Sequence, residues 1–443
     1  MEIKRDLYLN RLIQRRENGM VKVITGIRRC GKSYLLCTLY HHWLIDNGVS
    51  ENHIIELAMD DIGNKALRDG EKLYSHVRRQ VEKIREKETE KSVIYIFLDE
   101  IQFVSDFSDV INGLMHIPQV DIYVTGSNSK MLSTDILTEF RGRGDDVRVY
   151  PLSFSEFWPA YQEIHKDLPA SMMLFNAWNE YYTYGGMPFI LSRSDSAMKT
   201  AYLRSLFDKV YLTDICERNE VKRPEILDSI LNILSSSVGS LTNPKRISDT
   251  FRSNGIPTEE DGSVLFGSTT SPTIAQYLKY CEDAFLIQEA HRYDVKGNSY
   301  ISTPLKYYFT DIGLRNVRLN FRQQEENHIM ENILFNELMV RGYEVDVGAI
   351  TTTETTSSGR RKQITLEIDF VANSGSKRYY IQSAFEMSTP EKQMQETRPL
   401  LKVKDSFKKI ILVKDMIAPK RDEHGIVTMS VTDFLLSADS LDW

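Results

Sequence analysis

Residues 26–33 constrain this chain more than any other stretch. Gly26, Ile27, Arg28, Arg29, Cys30, Gly31, Lys32 and Ser33 follow a short β-branched apolar run, 21–25, and precede helical apolar spacing over 34–47. Two glycines with four residues between them let the backbone curl so that its amides converge on an anion. Lys32 then bridges the β- and γ-phosphates of ATP, and the Ser33 hydroxyl ligates Mg2+ at the positive start of the following helix. Alone the eight-residue pattern is loose, and the strand before it and helix after it carry the weight. Tyr34 closes the binding stretch. Arg28 and Arg29 fill variable positions and are read as pointing outward, and Cys30 as a small filler.

The next apolar runs, 53–59, 92–98, 120–125 and 146–150, are separated by helical patterns, which predicts a parallel sheet with its ligand at the carboxyl ends of the strands. Asp99 follows the run 92–98 and is placed to hold the magnesium, and Glu100 beside it to orient and deprotonate the attacking water. A helix cap is the plainer alternative for Glu100. Ser127 and Asn128 end the run 120–125 and are candidates for sensing the γ-phosphate, with a helix cap again the alternative. Arg141 and Arg143 flank Gly142 in a later turn, where a guanidinium could reach the γ-phosphate of the same or a neighbouring subunit. Arg143 is favoured, against a surface salt bridge. A strand between the loop and the Asp-Glu strand, with a later strand ending in Gly126-Ser127-Asn128, suits the additional-strand P-loop class.

With 443 residues the chain is too long for one ordinary core. A formal net charge of -7 offers no whole-chain attraction to nucleic acid, although a local basic stripe could still bind it. Cys30, Cys37, Cys216 and Cys281 form no Cys-x-x-Cys pair, so reduced thiols are expected. No apolar run approaches the length of a spanning helix and no apolar signal core opens the sequence, so a soluble, cytoplasmic protein is expected.

The assembled motifs resemble the bacterial and archaeal AAA-type ATPases that carry a C-terminal domain of unknown function. The resemblance rests on residues 26–33, on Phe97-Leu98-Asp99-Glu100-Ile101-Gln102, and on 123–132, 151–157, Gly185-Gly186-Met187-Pro188 and 306–315. It implies an α/β architecture in three parts: a P-loop ATPase domain, 1–165; a helical and winged-helix-like domain, 166–320; and a restriction-endonuclease-like α/β domain, 321–443.

Helices over 224–237, 243–253 and 272–284, followed by strands 285–293 and 300–309, match the winged-helix expectation, with 295–299 as the wing turn. DNA is a possible partner, through Lys245, Arg246, Arg252, Arg292 and Lys296. The candidate recognition helix nevertheless offers one lysine against Glu282 and Asp283, and its preceding connection is long. A protein partner is the other reading. In the C-terminal part, nucleases of this fold need an acidic residue on one strand and Glu or Gln, any residue, then Lys on the next. Glu367 and Asp369 supply the first and Gln382 begins the second, but Ala384 stands where the lysine belongs. Glu331, on the preceding helix, is a candidate accessory carboxylate. An inactive nuclease-like domain is expected.

Overall fold

The run 21–25 is strand β1 (Val21–Thr25), buried at every position, with parallel neighbours on both sides. It lies in a computed structural model that describes residues 2–87, 92–127, 140, 142–253, 269–322, 325–355 and 360–443. These residues group into two compact units, 1–151 with 283–285, and 152–282 with 286–443.

In the first unit, β2 (Ile54–Ala58), β3 (Ile94–Asp99), β4 (Val120–Gly126) and β5 (Gly144–Arg148) join β1 in the order β2-β3-β4-β1-β5. All of the pairings are parallel. Strand β4 therefore lies between the P-loop strand and the strand ending in Asp99, the insertion that an additional-strand sheet requires. Helical crossovers cover both faces, which is why β1 and β3 read as continuous apolar runs rather than alternating ones. On one face Val23, Ile96, Leu98 and Val124 pack with Leu73, Val77 and Val81 of the helix Gly70–Arg85 and with Ile111 and Leu114 of the helix Phe107–Leu114. The helical stretch between β2 and β3 is split at Asp69, whose side chain caps the helix Gly70–Arg85 by accepting from Lys72 N at 3.1 Å.

The second unit opens with the helix Phe154–Ile164, started by a capping box between Ser153 and Glu156. That helix, expected from sequence to close the first domain, thus groups with the second unit. Helices Pro224–Ser236, Pro244–Ser253 and Ser271–Asp283 fall where expected. Strands β6 (Ile287–Asp294) and β7 (Ser299–Phe309), the expected wing, join one sheet with β8 (Glu344–Thr355), β9 (Arg361–Ser374), β10 (Lys377–Ala384), β11 (Lys408–Val413), β12 (Lys420–Arg421) and β13 (Val427–Ser430). Its order is β12-β13-β11-β10-β9-β8-β6-β7, so the hairpin and the strands after 321 share a ladder through the parallel pairing of β6 with β8.

Two motifs separated by more than a hundred residues meet in this unit. Asp311 caps the helix Ile312–Arg318, accepting from Leu314 N at 3.2 Å, and its other oxygen accepts from Gly186 N at 2.7 Å. Burial pushes its carboxyl up to about 6, against the backbone donors that favour its ionised form. Asn316 reaches the carbonyls of Tyr182 and Thr183 at 3.1 and 3.0 Å, and Arg315 that of Ser235 at 2.7 Å. Gly185-Gly186-Met187-Pro188 is therefore a fitted docking turn.

Candidate nucleotide site

At the carboxyl end of β1 the chain turns at Gly26, with φ at 145°; a Cβ there would lie 2.0 Å from Val149 O, so no side chain fits. Gly31, with φ at 102°, precedes the helix that begins at Lys32 and continues, through a π-wound stretch Leu35–Tyr40, to Asp46. Between them Ile27 and Cys30 are fully buried, Arg28 half-buried and Arg29 exposed, and beyond them Tyr34 is half-buried. Burial pushes the Cys30 thiol up, and its Sγ lies 3.4 Å from Val149 O, as a filler would. The buried Lys32 ammonium donates to the loop's own carbonyls, Gly26 O at 3.0 Å and Ile27 O at 3.3 Å.

The neighbouring strand ends complete the site. Ser33 Oγ donates to Asp99 Oδ1 at 2.9 Å, and Thr125 Oγ1 donates to the same oxygen at 2.5 Å. Thr125 Oγ1 also accepts from Glu100 N at 2.9 Å, which ties β3 to β4. Glu100 sits in the left-handed region, with φ at 52°, an uncommon conformation for a residue with a Cβ. Its Oε2 accepts from Ser127 Oγ at 3.3 Å and, at close range, from Gln102 Nε2. Burial raises the Asp99 carboxyl above its usual range; the two hydroxyls oppose that shift and Glu100 adds to it. A buried carboxylate beside a second carboxylate suits a divalent cation, and the Ser33 hydroxyl beside Asp99 is the matching oxygen donor. The donor set fits Mg2+, and the side-chain-free turn at Gly26 fits a polyphosphate.

Asn128 and Arg141 lie outside the described residues. Of the two alternatives for Arg143, the geometry bears on the same-chain one. Its carbonyl accepts from Val21 N at 2.8 Å, so its backbone stands at the amino edge of the sheet. Gly26 lies five residues further along β1, about 16 Å away at ~3.3 Å per residue. Within one chain Arg143 therefore does not reach the loop. The arginine at the carboxyl edge is Arg148, paired in register with Thr25, its guanidinium 4.8 Å from the Tyr150 ring centre.

Sequence reasoning also missed Arg5. Buried, it donates to Cys30 O at 2.9 Å and to Tyr150 O at 2.6 Å, bracing the loop from 25 residues upstream without any motif to announce it. Gln102 and Thr125 stand inside recognisable motifs, but only the strand order reveals what they touch.

The acidic residues of the second unit also converge. Glu331, on the helix Glu326–Val340, accepts from Lys306 Nζ at 2.8 Å and from Tyr308 OH at 2.5 Å. Lys306 Nζ is also 2.8 Å from Glu367 Oε1. Burial opposes the lysine's charge, but Glu331, Asp369 and Glu367 together outweigh it and hold the ammonium above its usual value. Asp369 accepts from Ser383 N at 2.8 Å, and burial, with Glu331 near, drives its carboxyl well above the usual range. A cavity of about 700 Å3 is lined by Glu331, Asp369, Gln382 and Glu396 among others, and the buried Gln382 Oε1 has no hydrogen-bond partner among the described residues. Ala384 is buried and apolar.

Of the candidate DNA contacts, Lys245 and Arg246 are exposed and Arg292 half-buried. Lys296 Nζ donates to Thr351 O at 3.0 Å, and the Arg252 side chain lies outside the described residues. No helix among the described residues is long and apolar enough to cross a membrane.

A parallel sheet with a phosphate loop at its carboxyl edge and an Asp-Glu strand beside it is the frame of P-loop folds, and residues 18–158 match the family described as an AAA domain. Residues 175–325 match a family described as a domain of unknown function (DUF8612). An uncharacterized protein of Haemophilus influenzae is 34% identical over 98% of this chain and 98% of its own length, and the chain belongs to that protein's family. An uncharacterized protein of Methanocaldococcus jannaschii is 26% identical over 84% of this chain and 76% of its own. Among solved structures, a Walker-type ATPase of Pyrococcus abyssi aligns with 72% of this chain and 96% of that chain, at 16% identity and a TM-score of 0.47.

Proposed function

We propose that this protein is a magnesium-dependent ATPase whose hydrolysis cycle drives or gates a conformational change in the downstream part of the chain. The observation that carries this reading is the linked set Ser33, Asp99, Thr125, Glu100 and Ser127 at one sheet edge, beside the loop. In it, Lys32 exchanges its loop carbonyls for the β- and γ-phosphate oxygens, while the loop amides and the helix start hold the remaining charge. Glu100 accepts the proton of the attacking water, and Ser127 reports the γ-phosphate to Glu100 through their shared hydrogen bond. Mg2+, held by Ser33 and Asp99, would neutralise charge developing on the phosphate oxygens.

The test is a pair of variants. Lys32→Ala should lose ATP binding, and Glu100→Gln should bind ATP with turnover reduced about 10²–10⁴-fold, the usual contribution of a general base. Wild-type turnover by Glu100→Gln protein would reject Glu100 as the base.

One observation favours a second reading, a nucleotide-gated binding module that hydrolyses too slowly to do work. The Glu100 carboxylate is engaged by Gln102 and Ser127, which hold it within the protein's own hydrogen bonds. Single-turnover hydrolysis with and without DNA, RNA or cell extract separates the two, and stimulation names the partner class. An arginine acting from position 143 has to come from a neighbouring subunit, so ATP-dependent assembly, read by light scattering, accompanies that role. The division of the second unit into winged-helix-like, 166–320, and nuclease-like, 321–443, parts belongs to the same proposal. An ATP-regulated nuclease is disfavoured because Ala384 cannot supply the missing charge.

A further inference from the structure

In a metal-dependent nuclease of the restriction-endonuclease kind, the strands carrying Asp369 and Gln382 hold a divalent cation among carboxylates. Here a different cation is already in place. Lys306 arrives from β7, and its Nζ is 2.8 Å from both Glu331 Oε1 and Glu367 Oε1 with only 3% of the side chain exposed. A metal ion bridging those two oxygens at the ~2.1 Å typical of magnesium would overlap the ammonium nitrogen, so the two are mutually exclusive occupants. Among the described residues, no group of three or more His, Cys, Asp or Glu side chains is arranged to hold a metal ion.

The strand and helix that deliver these groups are locked together. Asn332, next to Glu331, accepts from Phe309 N at 2.9 Å and donates to Phe309 O at 2.7 Å, and Tyr308 stacks on Phe335 with ring centres 4.2 Å apart. Lys306 is thus held in register with Glu331 by contacts on the next turn of the helix and the next residues of the strand. With Ala384 in the place of a nuclease lysine, β10 brings no cation to the acidic cluster, and buried carboxylates without one are costly.

We propose that the Lys306 ammonium stands in for the divalent cation at the Glu331–Glu367–Asp369 position of the sheet, which makes this nuclease-like face a charge-compensated, metal-independent site. The proposal rests on the nuclease-like reading of the strands after 321 and is independent of ATP hydrolysis.

The experiment is Mn2+ binding to the full chain, without nucleotide, read by electron paramagnetic resonance. Asp99→Asn protein identifies any signal arising at the P-loop. Wild-type protein should show no second-unit site tighter than ~1 mM, whereas Lys306→Ala should gain one site at least about tenfold tighter, as removal of a competing charge implies. Adding Glu331→Gln to Lys306→Ala should abolish it. If Lys306→Ala is recovered unfolded, Mn2+ should restore its folding; failure of Mn2+ to do so overturns the proposal. So does wild-type Mn2+ binding that Asp369→Asn removes, which would make Gln382 Oε1 and Asp369 metal ligands beside the lysine, and so does folded Lys306→Ala that gains no site. ATP turnover, measured separately, judges the ATPase reading alone.

Discussion

Asp311 ties two distant motifs together, and its titration can be followed. The carboxyl titrates near 3.8 in a solvated chain and is pushed up to about 6 when buried between Gly186 and Leu314. A raised carboxylate favours the folded state most when protonated, so its contribution is fully present below about pH 4 and is lost as pH rises through 6. That rise corresponds to about 3 kcal/mol, at ~1.36 kcal/mol for each pH unit between the two titrations. Asp311→Asn cannot titrate, so the wild-type advantage over the variant should shrink by about 2.4 kcal/mol between pH 4 and pH 7, most of that total. The variant also sets an amide NH2 against backbone N–H donors that face the carboxylate, a pH-independent cost of ~1–3 kcal/mol.

Urea denaturation at stepped pH, read by tryptophan fluorescence in a Trp43→Phe background, reports on the second unit, because Trp158, Trp178 and Trp443 all belong to it. Only the difference between the two proteins is informative, since Asp146 of the first unit, also pushed by burial to about 6, titrates in both. A constant difference would refute the raised carboxyl. A difference that grows with pH would show that the backbone donors outweigh burial.

Other expectations concern the nucleotide site. Gln102→Ala removes the amide that orients Glu100; kcat should fall about tenfold with KM for ATP unchanged, and a change confined to KM would exclude a positioning role. Gly26→Ala drives a Cβ against Val149 O and should abolish binding of a fluorescent ATP analogue while leaving the second unit's tryptophan-monitored unfolding unchanged. Arg5→Met removes both braces on the loop and should weaken ATP binding about tenfold by equilibrium titration, the effect of losing about 1.4 kcal/mol. Undiminished affinity would reduce Arg5 to a packing role.

The strands around the site are legible because parallel strands buried on both faces write continuous apolar runs, and the loop because its glycines, lysine and serine are fixed by local geometry. Asp99 and Glu100 follow from their position at a strand end. Whether Arg143 could serve its own chain is not legible, because nearness to a motif in sequence does not say which edge of a sheet a turn occupies, and the parallel register of β1 with β5 sends it to the amino edge. Lys306 opens the stretch 306–315, yet its role depends on β7 facing a helix that starts twenty residues later. The short strands β12 and β13 carry too few residues to show alternation. The hairpin of β6 and β7 is legible as two strands, but nothing local reveals that β6 continues into the ladder of β8.

That ladder has a consequence for synthesis on the ribosome. The five strands of the nucleotide sheet have all been made once residue 148 has emerged, with nearly three hundred residues still to come. β6 waits for β8, some fifty residues of translation or several seconds at ~5–20 residues per second. During that interval the nascent chain carries a finished set of nucleotide-sheet strands and an open hairpin edge, the kind of edge that recruits other strands.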